Sequence, residues 1–145
     1  MDTFERQVRA TVIQALRDTG MAPSAAAIGD LLRMDGSRVS AALHSLADEH
    51  RLVLVPGTDQ VMMVHPFSGV ASDFLVTIGE RMWFANCVWD GLSILALLGD
   101  GTLQTHSPTT GERITLTVRD GVVEGDAIVH FLVPARHFWD DIVFT

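Results

Sequence analysis

The first chemical signal in this sequence is a thiol and a carboxylate at helical spacing, Cys87 and Asp90. Met82-Trp83-Phe84-Ala85 reads as a strand, and Asn86 offers a capping side chain for a helix that follows. Cys87 then falls at the first helical position or beside it. A thiol there feels the positive end of the helix dipole and nearby free amides. Both favour thiolate, the form that is a nucleophile and a soft-metal ligand. Residues at i and i+3 share a helix face, with Cβ atoms roughly 5–6 Å apart, so the two groups can converge on one small ligand. Spacing alone leaves a plainer reading open. A lone cysteine in an apolar stretch also serves as a small buried hydrophobe, and an aspartate in a first turn also serves the dipole.

Positioning such a pair needs a core, and the chain has one to build. It holds 145 residues, 48% of them hydrophobic, enough for one domain or two small lobes sharing a core. Phe4, Val8, Val12, Ala15 and Leu16 recur at helical spacing from Thr3 to Thr19, and Gly20 stops the run. Pro23-Ser24 opens a second helix with Ile28, Leu31 and Leu32 as its stripe. Gly36-Ser37 opens a third with Val39, Leu43 and Leu46 inward. Two apolar runs, Leu52 to Val55 and Val61 to Val64, flank the turn signal Pro56-Gly57-Thr58-Asp59. Three helices and a hairpin is the layout of a winged helix-turn-helix, expected over residues 1–66.

Residues 67–145 read mainly as strands. Asp73 to Ile78 and Arg81 to Ala85 flank Gly79-Glu80, and a helix runs from about Val88 to Leu98. Thr102 to His106 and Arg113 to Val118 form a hairpin around Pro108-Thr109-Thr110-Gly111, and Asp120-Gly121 turns the chain again. Ala127 to Val133 is expected as a further strand, and Pro134 begins a short helical segment through Asp141. The fold class is therefore α+β, an N-terminal winged helix packed on a mixed or antiparallel-sheet core.

Charge and composition exclude several functions. The net charge is −8, and all ten basic residues are arginine. Residues 1–66 carry six Arg against eight Asp/Glu, and residues 67–145 carry four against ten. The helix that would read DNA, Ser37 to His44, offers one Arg, and the wing, Pro56 to Gln60, offers none and carries Asp59. Phosphate contacts need several cations, so the winged helix is expected as a packing module and not a DNA reader. No apolar run is long enough to span a bilayer. Met-Asp-Thr-Phe-Glu-Arg lacks the order of a signal peptide, so a cytoplasmic location without membrane contact is expected. One cysteine allows no intramolecular disulfide and no Cys-based zinc site. His65, His106, His130 and His137 show no metal-ligand spacing, and His65 is expected to be structural. Met62 and Met63, adjacent on a strand, are expected on opposite faces. Trp83, Trp89 and Trp139 could wall an apolar pocket or fill the core. Ser93 and Ser107 lack a recognisable His–Asp arrangement, and Gly99-Asp100-Gly101 is a turn, not a phosphate loop.

Three stretches resemble the alkylmercury (organomercurial) lyase family. They are Val64-His65-Pro66-Phe67-Ser68, then Gly79 through Leu92 with Asn86-Cys87-Val88-Trp89-Asp90 at its centre, and Ser107 through Ile114. The resemblance covers most of the chain and implies a winged-helix N-terminal part on an unusual sheet core. It implies cleavage of the carbon–mercury bond by two cysteines and one aspartate, with Cys87 matching the first cysteine and Asp90 the aspartate. Cys87 would then be nucleophile and mercury ligand. Asp90 would relay the proton to the departing carbon and stand beside the bound metal. No cofactor is implied, since mercury is substrate and product ion. The implied partners are an organomercurial, cellular thiols and a mercury-accepting reductase. The family's second cysteine falls after a segment like Phe138 to Thr145, about where the given sequence stops. Two readings follow: a chain short of its natural end, for instance at a stop codon read as selenocysteine, or a diverged homologue that binds a thiophilic metal or organometal without turnover. A winged-helix regulator with a C-terminal ligand-sensing lobe is the alternative from another class.

Overall fold

In the computed structural model, which describes residues 1–143, three helices come first. Helix α1 (Thr3–Thr19) starts at Asp2, whose side chain and that of Glu5 each accept from the other's backbone amide. It ends at Gly20 in the left-handed region, φ +74°. A Cβ on Gly20 would also come within 2.7 Å of the Met82 carbonyl oxygen. Ser24 caps α2 (Ala25–Leu32) and Asp35 caps α3 (Gly36–Asp48), each by accepting from a first-turn amide. Val8, Val12, Leu16, Ile28, Val39, Leu43 and Leu46 are buried against one another. Leu31, expected in the stripe of α2, instead faces solvent. Ile28 and Leu32, four residues apart, take the inner face of this short helix.

Eight short strands follow: β1 (Val53–Leu54), β2 (Val61–Val64), β3 (Phe67–Ser68), β4 (Leu75–Ile78), β5 (Arg81–Ala85), β6 (Gly101–His106), β7 (Arg113–Arg119) and β8 (Val122–Glu124). They form a sheet of order β1-β2-β3-β5-β4-β6-β7-β8, with every pairing antiparallel. The hairpins anticipated at Pro56–Asp59, Gly79-Glu80, Pro108–Gly111 and Asp120-Gly121 are all present. The β7–β8 turn places Asp120 and Gly121 both at positive φ, 51° and 73°.

Two features fix the strand and helix that meet at Cys87. Helix α4 (Val88–Leu98) lies across β3, β4, β5 and β6, burying Ile94 and Leu95. Gly91 permits this approach, because a Cβ there would meet both methyls of Leu103 in β6 at 2.6 and 2.7 Å. On β5, the buried Trp83 donates its indole N–H to the carbonyls of Leu16 (3.0 Å) and Arg17 (3.1 Å). Arg81 adds bonds to the carbonyls of Arg17 and Asp18 and stacks over Trp83. The end of α1 thus grips the strand that leads into the site.

The last segment departs from expectation. Ala127 to Val133 is not a strand; the strand after the Asp120-Gly121 turn is the shorter β8. Gly125, at φ +151°, turns the backbone away from β7, and a Cβ there would strike a Leu116 methyl at 2.6 Å. The apolar run then crosses the surface with Ile128 95% exposed, held by ring contacts and not by a strand ladder. Pro134 does open a helical segment, a 3₁₀ helix (Ala135–Asp140). Ile142 and Val143 form no strand, and Phe144 and Thr145 lie outside the described residues.

Candidate active site

Cys87 is the N-cap of α4, one position earlier than a cap at Asn86 would place it. Its φ of −154° and ψ of −178° continue the extended path of β5, and its carbonyl accepts the first helical bond from Gly91 (2.9 Å). Asn86 does not cap the helix. Its side-chain amide reaches one turn forward and donates from Nδ2 to Asp90 Oδ2 (2.7 Å). The other carboxylate oxygen, Oδ1, accepts from His65 Nδ1 at 2.6 Å. The Asp90 side chain is only 12% exposed, while that of His65 is 71% exposed. A largely buried carboxylate is therefore held at both oxygens, with one of its partners open to solvent. Asn86 Oδ1 is buried and has no hydrogen-bond partner among the described residues. The His65–Pro66 peptide bond is cis.

The thiol does not titrate as its helix position alone suggests. Burial is the largest influence and pushes the Cys87 pKa above the ordinary cysteine value. The backbone amides of Asp90 and Trp89 pull it down, as expected of a helix N-terminus, and the Asp90 carboxylate pushes it up again. The thiol makes no capping hydrogen bond strong enough to outweigh its desolvation. The expected preference for thiolate is thus overturned: at rest the group favours the thiol.

A cavity of about 470 Å³ collects the site. Cys87, Asp90, His65 and Asn86 line it together. Its apolar wall includes Met63, Trp89, Phe131 and Trp139, and Arg9, His50 and Arg51 also contribute to it. His50 and Trp139 stack with centroids 4.2 Å apart and planes 6° from parallel. Trp89 and Phe131 stack at 6.5 Å, and Phe131 leans on Phe138 at 5.5 Å. A second cavity of about 300 Å³, with Phe74, Val88, Pro108 and Leu132 in its lining, shares Cys87, Trp89, Phe131 and Phe138 with the first.

Of the residues singled out from sequence, Cys87 and Asp90 are brought to one cavity, and Trp89 and Trp139 wall it. Trp83 does not; it is core. Met63 faces the cavity, while its strand neighbour Met62 does not line it. His65 was expected to be structural and in fact binds the Asp90 carboxylate. No spacing rule announced it, because the contact spans 25 residues and joins the turn after β2 to α4. Asn86 was legible in part, since i and i+4 side chains on a helix start are neighbours. The set suits a soft ligand: a thiol, a thioether and a hydrogen-bonded carboxylate lining one largely apolar pocket. Among the described residues, no three His, Cys, Asp or Glu side chains cluster to hold a metal ion.

Comparison with known proteins bears on the fold and the family. A solved structure titled as the crystal structure of the mercury-bound form of MerB2 superposes with a TM-score of 0.68 at 22% identity. It covers 86% of this chain, which spans 60% of that one. That likeness establishes a shared fold. No curated relative matches the sequence. The model of the alkylmercury lyase family matches residues 67–145, the stretch that supplies Cys87, Asp90 and the aromatic wall, and the chain belongs to that family.

Proposed function

We propose that this chain is an organomercurial lyase-like protein that protonates the carbon of a carbon–mercury bond, with Cys87 as mercury ligand and Asp90 as proton carrier. The observation that carries this reading is the convergence of the Cys87 thiol and the doubly held Asp90 carboxylate on one aromatic-walled cavity. The substrate R–Hg⁺ exchanges a labile ligand for the Cys87 sulfur, and the thiol proton passes to Asp90 as the S–Hg bond forms. Asp90 then delivers that proton to the carbon as the Hg–C bond breaks. The products are R–H and Hg(II) on the Cys87 sulfur, with no change of oxidation state at mercury. His65 and Asn86 hold the carboxylate in place, and the aromatic wall covers the organic group and excludes water. The scheme draws on no resident cofactor.

Residues 1–66 serve in this reading as a winged helix whose role is packing: its α1 grips β5 through Trp83 and Arg81, and Arg9 contributes to the cavity. A cytoplasmic site, where thiols are abundant and a mercury-accepting reductase can take the product ion, fits the scheme. Among the described residues no helix is long and apolar enough to cross a membrane.

The test is a methyl- or phenylmercury incubation with excess small thiol and headspace detection of methane or benzene. Wild type should release hydrocarbon, and Cys87→Ala should release none above the thiol blank. A second reading, stoichiometric capture without turnover, is favoured by one observation, the single cysteine in 145 residues. It predicts mercury retention lost in Cys87→Ala with no hydrocarbon from either protein.

A further inference from the structure

The cavity holds more positive charge than the molecule around it. The chain carries a net charge of −8, and only ten arginines supply its permanent cations. Two of them, Arg9 and Arg51, line the cavity that contains Cys87, as does His50. Arg9 is half-buried, and its Nε donates to the Arg51 carbonyl at 3.2 Å. It meets a carbonyl there, not a carboxylate, and among the described residues that is the hydrogen bond its guanidinium makes. Arg51 lies a loose 3.8 Å from Glu49, whose carboxylate already accepts from the Met1 ammonium at 2.7 and 2.8 Å. Neither guanidinium takes part in the chemistry proposed for Cys87 and Asp90.

Mercury chemistry supplies the other half. Hg(II) is soft and holds two ligands in its commonest complexes, so leaving the carbon does not free it. Cys87 gives one sulfur, and the 145 residues given hold no other cysteine. Met63 lines the same cavity, but a neutral thioether does not compensate the charge of the ion as a thiolate does. A second ligand can come from outside, and a cavity of about 470 Å³, on the order of 10 Å across, has room for a small thiol beside the metal.

We infer that Arg9 and Arg51 form a docking site for a carboxylate-bearing low-molecular-weight thiol, an amino-acid or small-peptide thiol, which takes Hg(II) from Cys87. Guanidinium forks bind carboxylates through paired charge-assisted bonds, and the loose engagement of both arginines leaves them available. The exchange balances without redox chemistry. The complex Cys87–S–Hg–SR′ reacts with a second R′SH; an Hg–S bond to that thiol forms and the Hg–S bond to Cys87 breaks. The thiol proton goes to Cys87, and Hg(SR′)₂ leaves. The inference rests on Cys87 as the mercury ligand, and not on turnover.

The experiment loads the full chain with mercuric chloride at one equivalent and follows loss of the mercury–thiolate absorption on mixing with mercaptoacetate, mercaptoethanol or cysteamine. The net charge of −8 by itself favours cysteamine and disfavours mercaptoacetate. Docking on the arginines reverses that order, with half-saturation by mercaptoacetate about five- to ten-fold below mercaptoethanol after correction for thiolate fraction. In Arg9→Gln, Arg51→Gln and the double variant, each checked for native circular dichroism, the ratio should fall towards one. Equal half-saturation by the three thiols in wild type, or an unchanged ratio in folded double variant, overturns the inference while leaving the lyase reading intact. Should Met63→Leu rather than the arginine variants change the thiol dependence, the thioether is the second ligand and the inference fails. Absence of mercury on Cys87 in wild type overturns this inference and the lyase reading together.

Discussion

Replacing Asp90 with asparagine separates mercury capture from proton delivery, because the change removes an ionisable group and almost no volume. The carboxylate accepts from His65 at 2.6 Å and from Asn86 at 2.7 Å. Hydrogen bonds to a charged group contribute about 1.5–3 kcal/mol each. The His65 contact is discounted, since that ring is 71% exposed and water competes for it. The new amide oxygen can still accept from Asn86, so the expected loss of stability is about 1–2 kcal/mol, too small to unfold a domain of ordinary stability. The chemical step should suffer far more. An amide carries no proton to a carbon leaving group, and loss of a positioned general acid slows such steps about a hundred- to ten-thousand-fold. Single-turnover release of benzene from phenylmercury, followed by headspace gas chromatography, measures the step. Mercury uptake, read from the mercury–thiolate absorption, should stay within a few-fold of wild type. Hydrocarbon release by folded Asp90→Asn within ten-fold of wild type would refute the role assigned to this carboxylate. Loss of mercury uptake in the folded variant would show that Asp90 serves Cys87 and not the carbon.

Three further outcomes follow from the packing and electrostatics. Gly91→Ala drives a methyl into both methyls of Leu103, so α4 must lift from β6 at a cost of about 1–3 kcal/mol in urea unfolding; a change under about half a kcal/mol would mean the helix has slack. Trp83→Phe leaves the Leu16 and Arg17 carbonyls without their indole donor and should cost about 1–3 kcal/mol, with a lower melting temperature as readout. Alkylation of Cys87 by iodoacetamide should rise with pH through a midpoint above that of an unstructured cysteine peptide, because burial raises the thiol pKa. The linked stability has the same sign: a raised native pKa stabilises the fold below the unfolded-state pKa, and that contribution is lost as pH climbs through the native value. An alkylation midpoint below the peptide's would show that the amides of α4 dominate over burial.

Local pattern carried the sequence reading as far as local pattern reaches. Helix α4 is bounded at Val88 and Leu98, as its apolar spacing and the glycine after it imply, and the turns at Gly79-Glu80 and Asp120-Gly121 follow from residues that accept positive φ. Cys87 and Asp90 lie within that reach because their proximity is a property of one helical turn. His65 does not, since its bond to Asp90 exists only once β2 and the start of α4 have been brought together by the sheet. The run from Ala127 to Val133 failed for a related reason. Its composition suits a strand, but a strand needs a partner edge, and the chain leaves β7 at Gly125 before that run begins. Its apolar side chains meet rings instead, with Phe131 against Trp89 and Phe138.

The overturned expectation about the thiol alters how the site has to work. A helix N-terminus lowers a thiol pKa only when its amides reach the sulfur and water still solvates the rest. Here burial beside an aromatic-walled cavity desolvates Cys87, and the neighbouring carboxylate opposes a second negative charge. The resting site thus holds a proton on sulfur beside an Asp90 whose two oxygens are already held. In the proposed scheme mercury binding would expel that proton, because the metal takes the thiolate and not the thiol. Each unit of raised pKa costs about 1.4 kcal/mol of metal affinity, small against the strength of a mercury–sulfur bond. In return the scheme would release the proton at the position where the carbon needs it. A site with an already ionised thiol would bind mercury faster but would have to draw the proton from solvent instead of from its own sulfur.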